Sequence, residues 1–215
     1  MKSQERESVN NAIQLSGEVA TAPEFSHEVF GEGFYTVMLS SQRTSGTVDT
    51  LPVTVSERLV DLQSLEVGMR IAVSGQIRTF NKKDNQDEKP RLVVSVFAQE
   101  LEFIDDFEED SNEVCLTGYL CKMPIYRTTP LGREICDILV AVNRPYGKSD
   151  YIPAVVWGRN ASYAGSLGIG AQIELSGRLQ SRKYNKRVKD NGDGTFATEE
   201  RTAYELSIGK LKVVM

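Results

Sequence analysis

Two aromatic residues six positions apart, Tyr151 and Trp157, offer the clearest chemistry in this chain of 215 residues. They bound the segment Tyr151-Ile152-Pro153-Ala154-Val155-Val156-Trp157. Strand periodicity puts Ile152, Ala154 and Val156 on the core side and Tyr151, Val155 and Trp157 on the other. Large rings on the non-core face of a strand are costly to leave in water, so they imply a partner with flat apolar faces. Two more rings fit the same use. Tyr146 lies in Asn143-Arg144-Pro145-Tyr146-Gly147-Lys148, just before that strand, and Tyr184 lies inside the basic run from Ser181 to Lys189. Rings for bases to stack on, with cations for phosphates, are the parts needed to hold a single nucleic-acid strand. The candidate cations are Arg144, Lys148, Arg159, Arg178, Arg182, Lys183, Lys186 and Arg187, with Arg127 and Arg133 extending their path. Stacking discriminates weakly between bases, so low sequence preference is expected.

Other chemistries find little support. His27 is the only histidine, in a loop-like Phe25-Ser26-His27-Glu28, so every histidine-dependent nucleophile or metal site would have to pass through it. Cys115, Cys121 and Cys136 are odd in number and lack C-x-x-C spacing, which predicts buried free thiols rather than disulfides or a zinc site. Asp137 and Asp150 form no evident carboxylate cluster of the kind metal-assisted cleavage requires. Residues 189–200 nearly spell a calcium loop, but Lys189 occupies the first ligand position, and a glycine-rich hairpin tip is the expectation. No enzyme activity, metal or cofactor is expected. Nor is secretion or membrane insertion: no apolar run approaches the ~20 residues that cross a bilayer, and Met1–Glu7 lacks a signal-peptide core.

The elements that position these residues come from a repeat. Net charge is −5, but residues 1–111 carry 10 Lys and Arg against 20 Asp and Glu, while residues 112–215 carry 15 against 10. Such asymmetry suggests two domains. An offset of 101 takes Leu15 to Leu116, Gly17 to Gly118, Arg43 to Arg144, Asp49 to Asp150 and Pro52 to Pro153. An offset of 102 then takes Leu65 to Leu167, Gly68 to Gly170 and Ser74-Gly75 to Ser176-Gly177. Each unit reads as three strands, a short helix and two strands, with helices expected near 56–66 and 160–167 and a bulge or bend at Ser-Gly. That order is the order of an OB fold. The expected architecture is all-β: two tandem five-stranded OB barrels, each with a short helix between strands 3 and 4. The expected boundaries are a flexible arm over 1–10, an acidic OB fold over 11–104, an acidic linker over 105–111, and a second OB fold over 112–215.

The two units differ on their outer faces. Opposite Tyr151, Val155 and Trp157 stand Thr50, Thr54 and Ser56; opposite Tyr146 stands Ser45, and roughly opposite Tyr184 stands Phe80. Arg127, Arg133, Lys148 and Arg178 face Ser26, Glu32, Thr47 and Gln76. The second unit is therefore the expected binding domain, and the first is expected to have lost the platform.

The stretch Leu139-Val140-Ala141-Val142-Asn143-Arg144, then Asp150 to Gly158 and Ser176 to Tyr184, resembles bacterial single-stranded DNA-binding proteins over most of residues 112–213. The resemblance implies non-sequence-specific binding of single-stranded DNA in replication, recombination or repair, in a cytoplasmic, nucleoid-associated protein. It implies stacking on Tyr146, Tyr151, Trp157 and Tyr184. Family members commonly end in a flexible tail with an acidic tip; the sequence ends Leu211-Lys212-Val213-Val214-Met215, so recruitment of replication or repair proteins through such a tail is not expected. Most members carry one OB fold and form tetramers, so two folds per chain imply a homodimer with four. Primosomal replication proteins share the resemblance, and a primosomal or phage protein-interaction module is the alternative expectation.

Overall fold

A computed structural model describes residues 10–82, 90–105, 108–190 and 196–214, apart from the side chains of 187–190 and 196–197. The arm over 1–9 and much of the calcium-loop-like segment lie outside the described residues.

The first domain comprises β1 (Asn11–Val19), β2 (Glu24–Val29), β3 (Glu32–Gln42), β4 (Val48–Ser56), β5 (Arg70–Lys82) and β6 (Arg91–Phe103). The second comprises β7 (Asn112–Leu120), β8 (Ile125–Thr128), β9 (Glu134–Asn143), β10 (Ser149–Trp157), α1 (Arg159–Gly165), β11 (Gln172–Asp190) and β12 (Phe196–Val213). In each domain the pairings run in a ring. β1 pairs with β3 and β5, β3 with β4, β4 in parallel with β6, and β6 with β5. β7, β9, β10, β12 and β11 repeat that circuit. The five-stranded ring is the OB arrangement anticipated from the repeat. β2 and β8 are additional short strands on β3 and β9.

The inner faces follow the alternation. Val37, Leu39, Leu51, Val53 and Val55 fill one barrel, and Val140, Val142, Ile152, Ala154 and Val156 fill the other. The repeated glycines mark where backbone crosses backbone. A Cβ on Gly75 would stand 2.1 Å from the Phe97 carbonyl oxygen, and one on Gly177 would stand 2.1 Å from that of Ser207. The expected bulges lie at these points, between Ser74 and Gly75 and between Ser176 and Gly177.

Two expectations need correction. Residues 56–66 do not form an α-helix; only Leu62–Ser64 makes a 3-10 turn. The Asp61 carboxylate accepts from the Gln63 N–H, and the Ser64 hydroxyl donates to the Asp61 carbonyl. These side chains compete for backbone groups in mid-segment, where a helix needs them free. In the second domain Ala161 and Ala164 bury against the barrel and the helix forms. The thiols are not all buried: Cys136 is, Cys121 is half-buried, and Cys115 is exposed because its neighbours Val114 and Leu116 take the inner face. The acidic run at 105–111 also touches the first domain. Asp110 accepts from Arg70 Nη2 at 2.5 Å and from the Gln42 N–H at 2.6 Å, and the Ser111 N–H donates to Ser16 Oγ.

The domains join through antiparallel pairing of β1 with β7. Asn11 faces Leu116, Leu15 faces Asn112, and the equivalent residues Ile13 and Val114 face each other. The chain thus forms an internal, two-fold-like interface, with each contact made twice. Asp49 of β4 accepts from the Ser181 N–H of β11 at 2.8 Å, and Asp150 of β10 accepts from the Thr79 N–H of β5 at 2.6 Å. Each carboxylate is buried and paired within its own domain, Asp49 to Arg43 Nε at 2.6 Å and Asp150 to Arg144 Nε at 2.8 Å. Burial alone would raise the Asp49 pKa. The hydrogen bonds from Arg43 and from the Ser181 backbone and hydroxyl, with the Arg43 charge, outweigh that and hold it below its usual value of 3.8. A lowered carboxylate pKa contributes stability that is fully present above the unfolded value and is lost as pH falls through the folded one.

Replacing Asp49 by Asn should therefore cost about 3 kcal/mol at neutral pH, the low end for breaking a buried ion pair. It should also flatten the loss of stability below about pH 4. Urea unfolding across a pH series checks both. An unchanged midpoint at pH 7 would refute this role of the seam carboxylate.

Candidate nucleic-acid interface

The face outside the second barrel is built by β10, β11 and β12. Alternation on β11 resumes after the bulge with Leu179 inward and Arg178, Gln180, Arg182 and Tyr184 on the opposite face. Trp157 closes β10, 37% exposed, and its indole N–H donates to Ser207 Oγ of β12 at 3.1 Å. One open groove of about 780 Å³ gathers Trp157, Arg133, Arg178, Arg182 and Ser207, together with Arg43 from the first domain. The indole is neither sealed in the barrel nor isolated: it lies against a groove wall carrying several guanidinium groups.

The remaining rings spread away from that groove. Tyr184 is 37% exposed with the Arg182 guanidinium 5.9 Å from its ring centroid, a cation-π contact. It lines a second depression with Arg91, Leu92 and Pro153, where first-domain β6 approaches the long hairpin. Tyr151 is 47% exposed on β10, and Tyr146 projects fully from its loop in the left-handed conformation, φ 63°. Val155, expected on the outer face, is buried beside Ser207.

The cations divide into engaged and open. Arg144 is spent on Asp150, Arg127 pairs with Asp137 at 2.6 Å, Arg182 with Glu205 at 3.3 Å, and Lys183 with Glu200 at 2.9 Å. The exposed pairs are weakly held and can exchange partners. Arg133, Lys148, Arg159 and Lys186 are exposed. The Arg187 side chain lies outside the described residues.

The first domain's outer face is not bare, contrary to expectation. His27 stacks on Phe34 with centroids 5.0 Å apart and planes 12° apart, and Phe34 lies 5.8 Å from Phe97. Phe25 meets Tyr35 edge to face at 5.5 Å. In the barrel ladder Phe97 faces Gln76, as Ser207 faces Arg178. The first domain thus carries its ring on β6 and a serine, Ser56, at the end of β4. The second reverses this, with Trp157 on β10 and Ser207 on β12. The missed signal was the alternation of β6 itself, where buried Val94, Val96 and Ala98 leave Phe97 outward. Charge differs more deeply than aromaticity. Around the first-domain rings Arg58 is tied to Glu32 at 3.2 Å, and Ser56 hydrogen-bonds the same carboxylate.

Among the described residues, no group of three or more His, Cys, Asp and Glu gathers to hold a metal, and no helix is long and apolar enough to cross a membrane.

A model of the single-strand binding protein family matches residues 10–104 and again residues 111–214. The chain belongs to that family. Single-stranded DNA-binding protein 1 of Staphylococcus aureus is 38% identical over 95 residues, 41% of this chain and 55% of that protein. Single-stranded DNA-binding protein A of Bacillus subtilis is 36% identical over 95 residues, 41% of this chain and 54% of its own. The chain thus spans about half the length of these relatives. The crystal structure of single-stranded DNA-binding protein from Thermus aquaticus covers 95% of this chain and 93% of its own at 20% identity, with a TM-score of 0.68. It shares this fold.

Because Ser207 fixes the indole, Ser207→Ala should shift Trp157 emission and raise its accessibility to acrylamide, with a stability loss of about 1 kcal/mol. An emission spectrum and quenching constant identical to those of the parent chain would show that the hydrogen bond does not orient the ring.

Proposed function

We propose that the chain is a non-enzymatic, non-sequence-specific binder of single-stranded DNA, serving replication, recombination or repair at the nucleoid in the cytoplasm. The observation that carries this is the groove wall of Trp157, Arg133, Arg178 and Arg182, a part-exposed ring among guanidinium groups, with Arg182 also reaching Tyr184 in the neighbouring depression. A base laid on an indole or phenol face loses its wet surface, while its flanking phosphates meet cations about a nucleotide away. Tyr151 and Tyr146 continue the stacking path along β10 and its loop. Lys148, Arg133, Arg159, Lys186 and Arg187 supply phosphate contacts, and Arg127 and Arg182 join by exchanging a carboxylate for a phosphate. Arg144 belongs to the seam rather than to the strand. In solution the chain forms a homodimer presenting four OB folds.

A second reading has its own observation. The rings of the first domain have their nearby Arg58 tied to Glu32, with Glu24 and Glu28 on the strand of Phe25 and His27, a surface suited to a protein rather than to a phosphate chain. On this reading the first domain is a primosomal or phage interaction module attached to the binding domain.

Titration with oligo-dT should quench the single tryptophan, and log affinity should fall linearly with log salt. Trp157→Ala or Tyr184→Ala should each weaken binding by about 1–3 kcal/mol, and Phe80→Ala by much less. Emission unchanged by saturating oligo-dT at low salt would refute the function. Equal losses at Phe80 and Trp157 would instead refute the division between domains. Sedimentation at micromolar concentration should give twice the chain mass.

A further inference from the structure

Positions 76 and 78 of β5 correspond to 178 and 180 of β11, and their residues are exchanged between the domains. The first domain has Gln76 and Arg78; the second has Arg178 and Gln180. The consequences differ sharply. Arg78 reaches the seam, where it pairs with Asp150 at 3.2 Å and hydrogen-bonds Gln76. Asp150 thereby neutralises two arginines, Arg78 and Arg144. At the opposite end of the seam, Gln180 turns to Glu205 at 3.1 Å. Arg178 makes no ion pair among the described residues, and its Nε is buried without a hydrogen-bond partner; the buried Nε of Arg144 also lacks a hydrogen bond but lies 2.8 Å from Asp150.

Arg178 is also not alone. Arg43, from the first domain, lines the same groove. Its Nε and Nη2 are committed to Asp49 at 2.6 and 2.7 Å, which leaves Nη1 uncommitted. Asp49 is itself occupied by Arg43 and by Ser181. One carboxylate therefore serves two arginines here without a direct contact to the second. Burial pushes the Arg178 guanidinium below its usual range, the Arg43 charge adds to this, and Asp49 only partly opposes it. A guanidinium stays ionised at neutral pH, so Arg178 keeps its positive charge at a half-buried position on the groove wall. An anion placed there offsets that charge, and a phosphate accepts from two guanidinium groups at once.

We propose that Arg178 and Arg43 together form a phosphate-binding site that straddles the domain seam, so that the first domain completes the strand-binding groove of the second. The inference rests on the function proposed above and adds its partner residue and its direction. The strand leaving Trp157 runs over Arg178 onto the first domain at this end of the seam only. At the other end the corresponding positions are Gln76 and Arg144: Arg144 is held by Asp150 as Arg43 is by Asp49, but Gln76 stands where Arg178 would, and the further arginine there, Arg78, is paired with Asp150.

The symmetry of the seam supplies the controls. Arg178→Gln installs the residue that the first domain tolerates at this position, so folding should be retained. It should weaken oligo-dT binding about three- to tenfold and lower the salt slope by about 1, as expected for one lost phosphate contact. Arg43→Gln should do the same while also lowering Tm, because it strips Asp49. Arg144→Gln should lower Tm comparably and leave the salt slope as it was. Combining Arg43→Gln with Arg178→Gln should cost less than the sum of the two. A normal slope in Arg178→Gln, with Trp157 still quenched, overturns this inference and spares the function. An equal slope change in Arg144→Gln overturns it too, since the effect would then be one of the seam. A parent chain that does not bind oligo-dT overturns both.

Discussion

Asp49 and Asp150 are buried carboxylates at the join of the two barrels, and each takes a backbone hydrogen from a strand of the other domain. A buried carboxylate without partners would cost several kcal/mol, so the arginine in its own domain and the N–H in the other are both obligatory. This couples the folding of each barrel to the presence of its neighbour. It also fixes the register of β5 and β11, the strands whose outer faces carry Arg78 at one end and Arg178 at the other. A displaced seam would move the groove wall with it. The β1–β7 ladder supplies the axis of near symmetry, and the two carboxylates lock the rotation about that axis.

Symmetry holds where interior packing requires it and lapses where solvent allows it. The glycines at 75 and 177, the aspartates and their arginines, and the Asn11 and Asn112 side chains that bridge the β5 and β11 backbones all recur. The glycines have no room for a Cβ, and the other side chains satisfy buried backbone or carboxylate groups. The outer face carries no such constraint. There the first domain has collected carboxylates that neutralise its cations, and the second has kept arginines in excess. Both domains retain rings, so the difference between their outer faces lies chiefly in charge.

Legibility in the sequence followed the same boundary. The repeat exposed the tandem barrels, the Ser-Gly bulges and the inward residues of β10, because these depend on local spacing and on positions that recur. The rings of Trp157 and Tyr184 were legible for the same reason. The pairing of Arg144 with Asp150 was not legible, because an arginine spacing is the same whether the partner is a phosphate or a buried aspartate in another strand. The aromatic face of the first domain was not legible from β4 and β10, because its ring Phe97 lies on β6, on the side away from buried Val96 and Ala98. The first helix failed because Leu59, Leu62 and Leu65 have helical spacing, yet Asp61 and Ser64 capture backbone groups between them. A pattern of apolar positions does not register that competition.

The exchange of ring and serine between neighbouring strands has a functional edge. In both domains the parallel pair, β4 with β6 or β10 with β12, must cover the outer mouth of the barrel with one large side chain. Either strand can supply it, which explains why Ser56 with Phe97 and Trp157 with Ser207 are both stable solutions. They are not equivalent as platforms. Phe97 has no polar handle and leans on Phe34, so its face is partly consumed by another ring. Trp157 is held from its edge by Ser207, which leaves the indole face open and its orientation set before any ligand arrives. A pre-oriented face loses less entropy on stacking than a mobile one. The second domain therefore combines the better-held ring with the unspent charge of Arg178, while the first offers rings already stacked on one another beside an arginine already paired.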